Sequence, residues 1–261
     1  MASATFRFYG ELNDFLPRER RGQAITVPCA RMATAKHMIE ALGVPHTEVE
    51  LVLVNGDSAG LDLLLEEGDR VAVYPRFTRF DVGDLARVRM RPAGPQAEVR
   101  FVADAHLGGL ARLLRMAGFD TLYDNGLHGD QVEALAVEEQ RVVLTRDRDL
   151  LKRRSIDYGC FVRALKPQAQ LDEVFERLDL AGRARPFTRC LHCNGPLRQV
   201  SKAEVAERLP PQVAEAQDEF RTCDLCGRVY WKGSHWKRMN RQIGAMLERV
   251  GHAGLGAGAH P

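Results

Sequence analysis

Two cysteine pairs of the same form, Cys190-Leu-His-Cys193 and Cys223-Asp-Leu-Cys226, stand 29 residues apart near the C-terminus, and no other feature of the chain limits its folding so tightly. Each pair is a thiolate knuckle, and four thiolates complete the tetrahedral shell of a closed structural Zn²⁺ site. A redox Cys-x-x-Cys would need only one pair, and iron–sulfur clusters usually take other spacings. The surrounding segment is rich in charge and builds little core alone. Zinc on Cys190, Cys193, Cys223 and Cys226 is therefore expected to fold it. His192 and His235 are spare donors, read as non-ligands. Cys29 and Cys160 stand alone and are expected as buried apolar thiols.

Metal in place of disulfides suits a reducing compartment. The opening run MASATFRFYG lacks a basic stretch followed by an apolar one, and apolar runs such as Leu51–Val54 fall far short of the roughly 20 residues that span a bilayer. A soluble, cytoplasmic protein without a membrane partner is expected. The chain has 45% apolar and 28% charged residues, an ordinary globular balance over 261 residues. That length suits one large domain or two to three small ones. With 37 Lys and Arg against 35 Asp and Glu, a basic nucleic-acid coat and an acidic tail protein are both excluded. The charge is nonetheless segregated. Residues 181–250 hold 13 Lys and Arg against 7 Asp and Glu, while 1–90 hold 11 against 13 and 91–180 hold 13 against 15.

Residues 1–80 predict strands at Thr5–Tyr9 and Ala24–Val27, then a helix over 34–42 ended by Gly43. Strands follow at Leu51–Val54 and Arg70–Tyr74, with a turn at Asn55-Gly56 and a limit at Pro75. This order reads as a small α+β roll. With the phrases VELVLVNG and EEGDRVAVYP, it resembles the ubiquitin-like β-grasp domains related to sulfur carriers. Those carriers end in a free Gly-Gly tail, whereas here the chain runs on into Arg76-Phe77-Thr78. A binding or assembly module for a protein partner is expected. A linker is expected over 81–98, where Pro92, Gly94 and Pro95 break regular structure and Arg87, Arg89 and Arg91 alternate.

Residues 99–180 alternate strand and helix: Val99–Ala103, helix Leu107–Ala117, Thr121–Tyr123, helix Gln131–Glu139, Val142–Thr145, a helical turn Leu150–Arg154, Cys160–Leu165 and helix Gln170–Leu178. This pattern predicts a parallel α/β sheet with right-handed crossovers. Asp104 ends the first strand and Asp147 the third, with Asp149 two residues on and Asp130 opening the second helix. Strand ends of a parallel sheet converge on one edge, where ligands bind. Clustered carboxylates repel unless a cation lies between them, and oxygen-rich sets suit Mg²⁺ or Mn²⁺. The same aspartates also stand where helix N-caps are favoured, worth about 1 kcal/mol each. An aspartyl phosphatase would want an acid where His106 stands, and no Gly-rich Lys-Ser/Thr phosphate loop occurs.

The segments FVADAHLGGLARLLRMAGFDTLY, LTRDRDLL, RCLHCNGPL and CGRVYWKGSHW, in this order, resemble the Mut7-C family. That family joins a PIN-like ribonuclease fold to a zinc ribbon, and the chain is also similar to the bacterial members that carry an N-terminal ubiquitin-like domain. The resemblance implies a ribonuclease with Asp104 and Asp147 as Mg²⁺ or Mn²⁺ ligands. Asp130 and Asp149 would complete the catalytic acids, with Glu133 as a substitute for Asp130. It also implies hydrolysis leaving 5′-phosphate and 3′-hydroxyl ends.

Arg112 and Arg115, three residues apart on one helix, are candidates for gripping the scissile phosphate. His106 and His128 neighbour the acids. After the second knuckle, Tyr230, Trp231, Lys232, His235, Trp236, Lys237, Arg238 and Arg241 interleave rings with cations. This suits RNA, with rings on bases and cations on phosphates, although Tyr230 and Trp231 equally suit packing inside a ribbon. RNA is the expected partner, with tRNA as a candidate substrate. The expected domains are 1–80 ubiquitin-like, 81–98 linker, 99–180 nuclease, 181–250 zinc ribbon and 251–261 flexible tail.

Overall fold

The computed structural model describes residues 2–77, 85, 87, 88, 92 and 98–255, with side chains to residue 249. Most of the expected linker, including Arg89, Gly94 and Pro95, and residues 256–261 of the expected tail lie outside the described residues.

In chain order the elements open with β1 (Ser3–Phe8), β2 (Ala24–Pro28), α1 (Ala35–Ala41), β3 (Leu51–Val54), β4 (Asp57–Ala59) and β5 (Arg70–Tyr74). Then come β6 (Phe101–Ala103), α2 (Gly108–Met116), β7 (Thr121–Leu122), α3 (Gly129–Glu138), β8 (Val142–Thr145), α4 (Arg148–Leu151), β9 (Gly159–Phe161) and α5 (Pro167–Leu178). The remainder is β10 (Leu197–Val200), α6 (Lys202–Val205), α7 (Pro211–Ala216), β11 (Phe220–Cys223), β12 (Val229–Trp231) and α8 (Ser234–Leu255). No helix among the described residues is long and apolar enough to cross a membrane.

The chain forms two compact units, residues 1–106 with 126–163 and residues 107–125 with 164–261. In the first, β1 to β5 build a sheet of order β2-β1-β5-β3-β4. β1 pairs antiparallel with β2 and parallel with β5, the β-grasp arrangement. Alternation in β1 turns Ala4, Phe6 and Phe8 inward onto Ile39, Val52 and Val73. Thr34 caps α1 through its side chain, which accepts from the His37 amide. Asn55 and Gly56 both have positive φ, 55° and 99°, as a two-residue hairpin turn between β3 and β4 demands.

The same unit carries the parallel strands β6, β8 and β9, with β8 in the centre and buried at all four positions. The ubiquitin-like part is not a detached bead. Glu48, fully buried, accepts from the Phe161 amide of β9 at 2.7 Å and from Arg163 at 3.1 Å. His46 Nε2 lies 2.8 Å from the Ile156 carbonyl, and Phe15 meets Phe161 edge to face at 5.2 Å. Cys29 and Cys160 are both buried thiols.

In the second unit α2 packs on α5, with Phe119 and Phe175 in a T-shaped pair at 5.6 Å. Leu110 and Leu114 are buried on the helix face predicted from their spacing. The Gly-Gly pair opening α2 makes room. A Cβ at Gly108 would come within 2.5 Å of the Tyr123 hydroxyl, and one at Gly109 within 2.6 Å of Pro167. Strands β10, β11 and β12 form an antiparallel ribbon over Val200, Val205, Leu209 and Phe220. α8 continues to Leu255 and buries Ile243 and Met246.

Candidate metal centre, acidic strand ends and aromatic cleft

The two cysteine knuckles are matching turns. Asn194 follows the first pair and Gly227 the second, both with φ of 70°. The Asn194 amide bonds the Cys190 carbonyl, and the Gly227 amide bonds the Cys223 carbonyl. The four sulfur atoms lie within 4.8 Å of one another. Cys190 Sγ is 3.6 Å from Cys226 Sγ, and Cys193 Sγ is 3.4 Å from Cys223 Sγ. A Zn²⁺ tetrahedron with bonds of about 2.3 Å has edges of about 3.8 Å, so the donor set fits. Burial pushes the Cys190 thiol up, but the Cys193 amide, the Tyr230 hydroxyl and the His192 amide outweigh it and hold the group down at about 6. Burial pushes the Cys193 thiol up, and burial together with the neighbouring Cys190 pushes up the Tyr230 hydroxyl. His192 and His235 stand outside this group.

The first knuckle is fastened to α2 and β7. Arg115 Nε donates to the Thr121 carbonyl and Nη1 to the His192 carbonyl, both at 2.9 Å. Asn194 accepts from the Thr121 amide and donates to Asp120, which also pairs with Arg189 at 3.4 Å. Arg115 is thus buried and tied to backbone oxygens. Burial pulls its guanidinium pKa down. Arg112 is exposed. Three residues of helix are enough to carry one arginine from the rim to the interior.

At the ends of β6 and β8, Asp104 and Asp147 are joined through one side chain. The Thr145 hydroxyl donates to Asp104 Oδ2 at 2.7 Å and accepts the Asp147 amide at 2.9 Å. Asp147 Oδ1 in turn accepts the Asp149 amide at 2.8 Å and caps α4. Asp130 and Asp149 are exposed and ion-paired, with Arg153 at 2.6 Å and Lys152 at 2.8 Å. Glu133 shares Arg153 at 2.5 Å and bonds Ser155, which with Arg153 holds its carboxyl below the usual range. Among the described residues, only the four cysteines form a group of three or more metal-binding side chains with donor atoms within 4.8 Å. Asp104, Asp130, Asp147 and Asp149 are not drawn together that closely. His106 is exposed, and the amide of His128 bonds Gln131 at the start of α3.

The second unit holds a cavity of about 1000 Å³, with Trp231, Lys232 and His235 on its wall. Arg112 and Arg115 line it too, while Lys237 and Arg238 are exposed on α8. Trp231 packs against the ribbon core as well. Sequence reasoning missed Tyr123, Phe187, Arg189, Arg221 and Arg228, which complete the wall from distant parts of the chain. Trp236, Met239, Ile243 and Met246 recur at intervals of three or four, a helical signal that could have revealed α8.

Residues 99–243 match the Mut7-C RNAse domain family, and residues 1–81 match the Mut7-C ubiquitin family. A search of curated proteins found no match. Two crystal structures of small archaeal modifier protein 1 from Haloferax volcanii are similar to part of the chain, each at 21% identity. One has a TM-score of 0.25 and covers 30% of this chain and 100% of its own; the other has 0.24, covering 29% and 97%.

Proposed function

The chain belongs to the Mut7-C RNAse domain family, and on that premise we propose that it is a metal-dependent ribonuclease hydrolysing RNA phosphodiester bonds at Asp104 and Asp147. The observation that carries the reading is the Thr145 hydroxyl, which ties the two acids together at the ends of adjacent parallel strands. Ligand sites favour such strand ends.

Asp104 and Asp147 would hold Mg²⁺ or Mn²⁺. Mg²⁺ is commonly bound by one or two carboxylates together with substrate phosphates, so two acids suffice in number. When bound, the ion supplies charge neutralisation at the phosphodiester and makes water a better nucleophile. Thr145 orients the Asp104 carboxylate, and the cap on α4 orients Asp147. Asp130 and Asp149 would join the site by releasing Arg153 and Lys152. The cationic wall of the ribbon cleft would hold the RNA. A structured RNA such as tRNA is the proposed substrate, and 5′-phosphate and 3′-hydroxyl ends are the proposed products. We assign the modules as 1–80, 99–180 and 181–250, place the protein in the cytoplasm, and give the ubiquitin-like module a protein partner.

A second reading, a non-catalytic RNA-binding adaptor, draws on the capping bonds of Asp147 and the ion pairs of Asp130 and Asp149. Incubation of a small-RNA pool with zinc-loaded protein separates the two, with and without added Mg²⁺ or Mn²⁺. Cutting that needs the added ion and is lost in the Asp104→Asn/Asp147→Asn double variant supports the ribonuclease. Salt-sensitive binding without cutting supports the adaptor.

A further inference from the structure

The backbone at Phe187 lies in the left-handed region, with φ of 60°, which a bulky side chain rarely adopts. Two hydrogen bonds hold it there. Its amide donates to the Met116 carbonyl at 2.9 Å, and its carbonyl accepts Arg221 Nη1 at 2.6 Å. Such strain persists where the surroundings over-determine it, and it gathers at ligand clamps. Here it sets the Phe187 ring on the cavity wall, 5.2 Å from Trp236 at an angle of 42°. Lys232 lies over the Trp236 ring at 5.7 Å and is steadied by Glu219 at 2.5 Å. Arg112 and Arg228 line the same cavity.

We propose that this cleft is a site for an unpaired RNA nucleotide, whose base stacks on the Phe187–Trp236 pair while Lys232, Arg112 and Arg228 face its phosphates. The proposal rests on the reading above for the choice of RNA as ligand. The rings decide the strand state. A base inside an A-form duplex is covered on both faces by its neighbours, so rings set in a cleft can reach only a base that has left the stack. Phosphate contacts alone would not distinguish single strands from duplex, whereas stacking does. The volume, about 1000 Å³, is at the upper end of ordinary ligand sites, roughly 300–1,000 Å³.

The chain has two tryptophans, Trp231 and Trp236, and both line this cavity. Intrinsic fluorescence therefore reports on the cleft. The test titrates the full-length, zinc-loaded protein with a labelled oligouridine and with a duplex of equal length, without added Mg²⁺ or Mn²⁺. Tryptophan quenching and RNA anisotropy are read together. The single strand should quench and bind about tenfold tighter than the duplex. Trp236→Ala and Phe187→Ala should each weaken single-strand binding by about five- to hundredfold, the range of one lost base stack. Trp236→Phe, which keeps a ring, should stay within about threefold. Bound zinc and far-UV circular dichroism check that each variant is folded. Equal affinity for both RNAs, or alanine variants that fold and bind as the parent does, would overturn the proposal. Quenching by the single strand, with no cutting of the small-RNA pool on adding Mg²⁺ or Mn²⁺, would sink the ribonuclease and leave this site standing. Cutting of that pool without quenching by the single strand would do the reverse.

Discussion

The Thr145 hydroxyl donates a hydrogen bond to the Asp104 carboxylate at 2.7 Å. Because the same oxygen accepts the Asp147 amide, one side chain sets the geometry of both strand-end acids. Thr145→Val keeps the shape and removes both bonds. It should destabilise the protein by about 0.5–1.5 kcal/mol, the net worth of a hydrogen bond between half-buried groups. It should also lower the cleavage rate more than RNA affinity. Thr145→Ser should retain most of both. Urea unfolding and single-turnover cleavage measure the two effects.

Arg112 and Arg115 should separate cleanly. Arg115→Ala removes bonds to the Thr121 and His192 carbonyls, so it should cost about 1.5–3 kcal/mol of stability and weaken zinc retention. Arg112→Ala, at an exposed position, should leave the unfolding midpoint within about 0.5 kcal/mol and reduce RNA affinity. Chemical denaturation, zinc release and RNA anisotropy on the two variants decide the matter.

Zinc should prove structural. The loaded protein is expected to hold one ion per chain by elemental analysis. Chelation should abolish amide protection in β10–β12 while β1–β5 stay protected in hydrogen exchange. Protection of β10–β12 without metal would refute a metal-dependent fold for this segment. Acid should release the ion as well, since thiolates must stay deprotonated to bind it.

Glu48 should be costly to replace. It is fully buried between Arg163 and the Phe161 amide, and removing one partner of a buried pair typically costs about 3–5 kcal/mol. Glu48→Ala should lower stability by that order. A chain lacking residues 1–80 should unfold more readily in β8 and β9 than the full chain. Denaturation and hydrogen exchange would show it, and a truncated chain as stable as the parent would refute it.

Acid titration offers a local check at Glu133. Ser155 and Arg153 hold its folded pKa below the ordinary 4.5. Its contribution to stability is therefore present above that value and is lost as pH falls through the lower folded one. Both Glu133 and Arg153 are only half-buried and solvent screens the pair, so the contribution should be small. In Arg153→Ala the NMR titration midpoint of Glu133 should move up toward 4.5.

Much of the architecture was legible because it is written in short-range patterns. Alternation marked β1, the Asn55-Gly56 turn marked the hairpin after β3, and leucine spacing marked the buried face of α2. β4 was not visible, since Asp57–Ala59 is three residues with one buried side chain. The long helix α8 was obscured by reading its cations and rings only as RNA contacts. The cysteine spacing announced the four-sulfur group, because each knuckle is a local turn that needs only its own residues.

What the tertiary structure alone decided lies in pairings across long stretches of chain. Nothing near Arg115 reveals that it would bond carbonyls 6 and 77 residues away. Nothing near Glu48 foretells an amide 113 residues on, or near Phe187 a partner ring at Trp236. The sequence by itself determined most of the elements, the strand-end acids and the four-sulfur group, because periodicity and turn chemistry act between neighbours. Which polar groups were buried, and which rings shared a wall, depended on packing between elements, where the need to satisfy every buried donor assigns each side chain its partner.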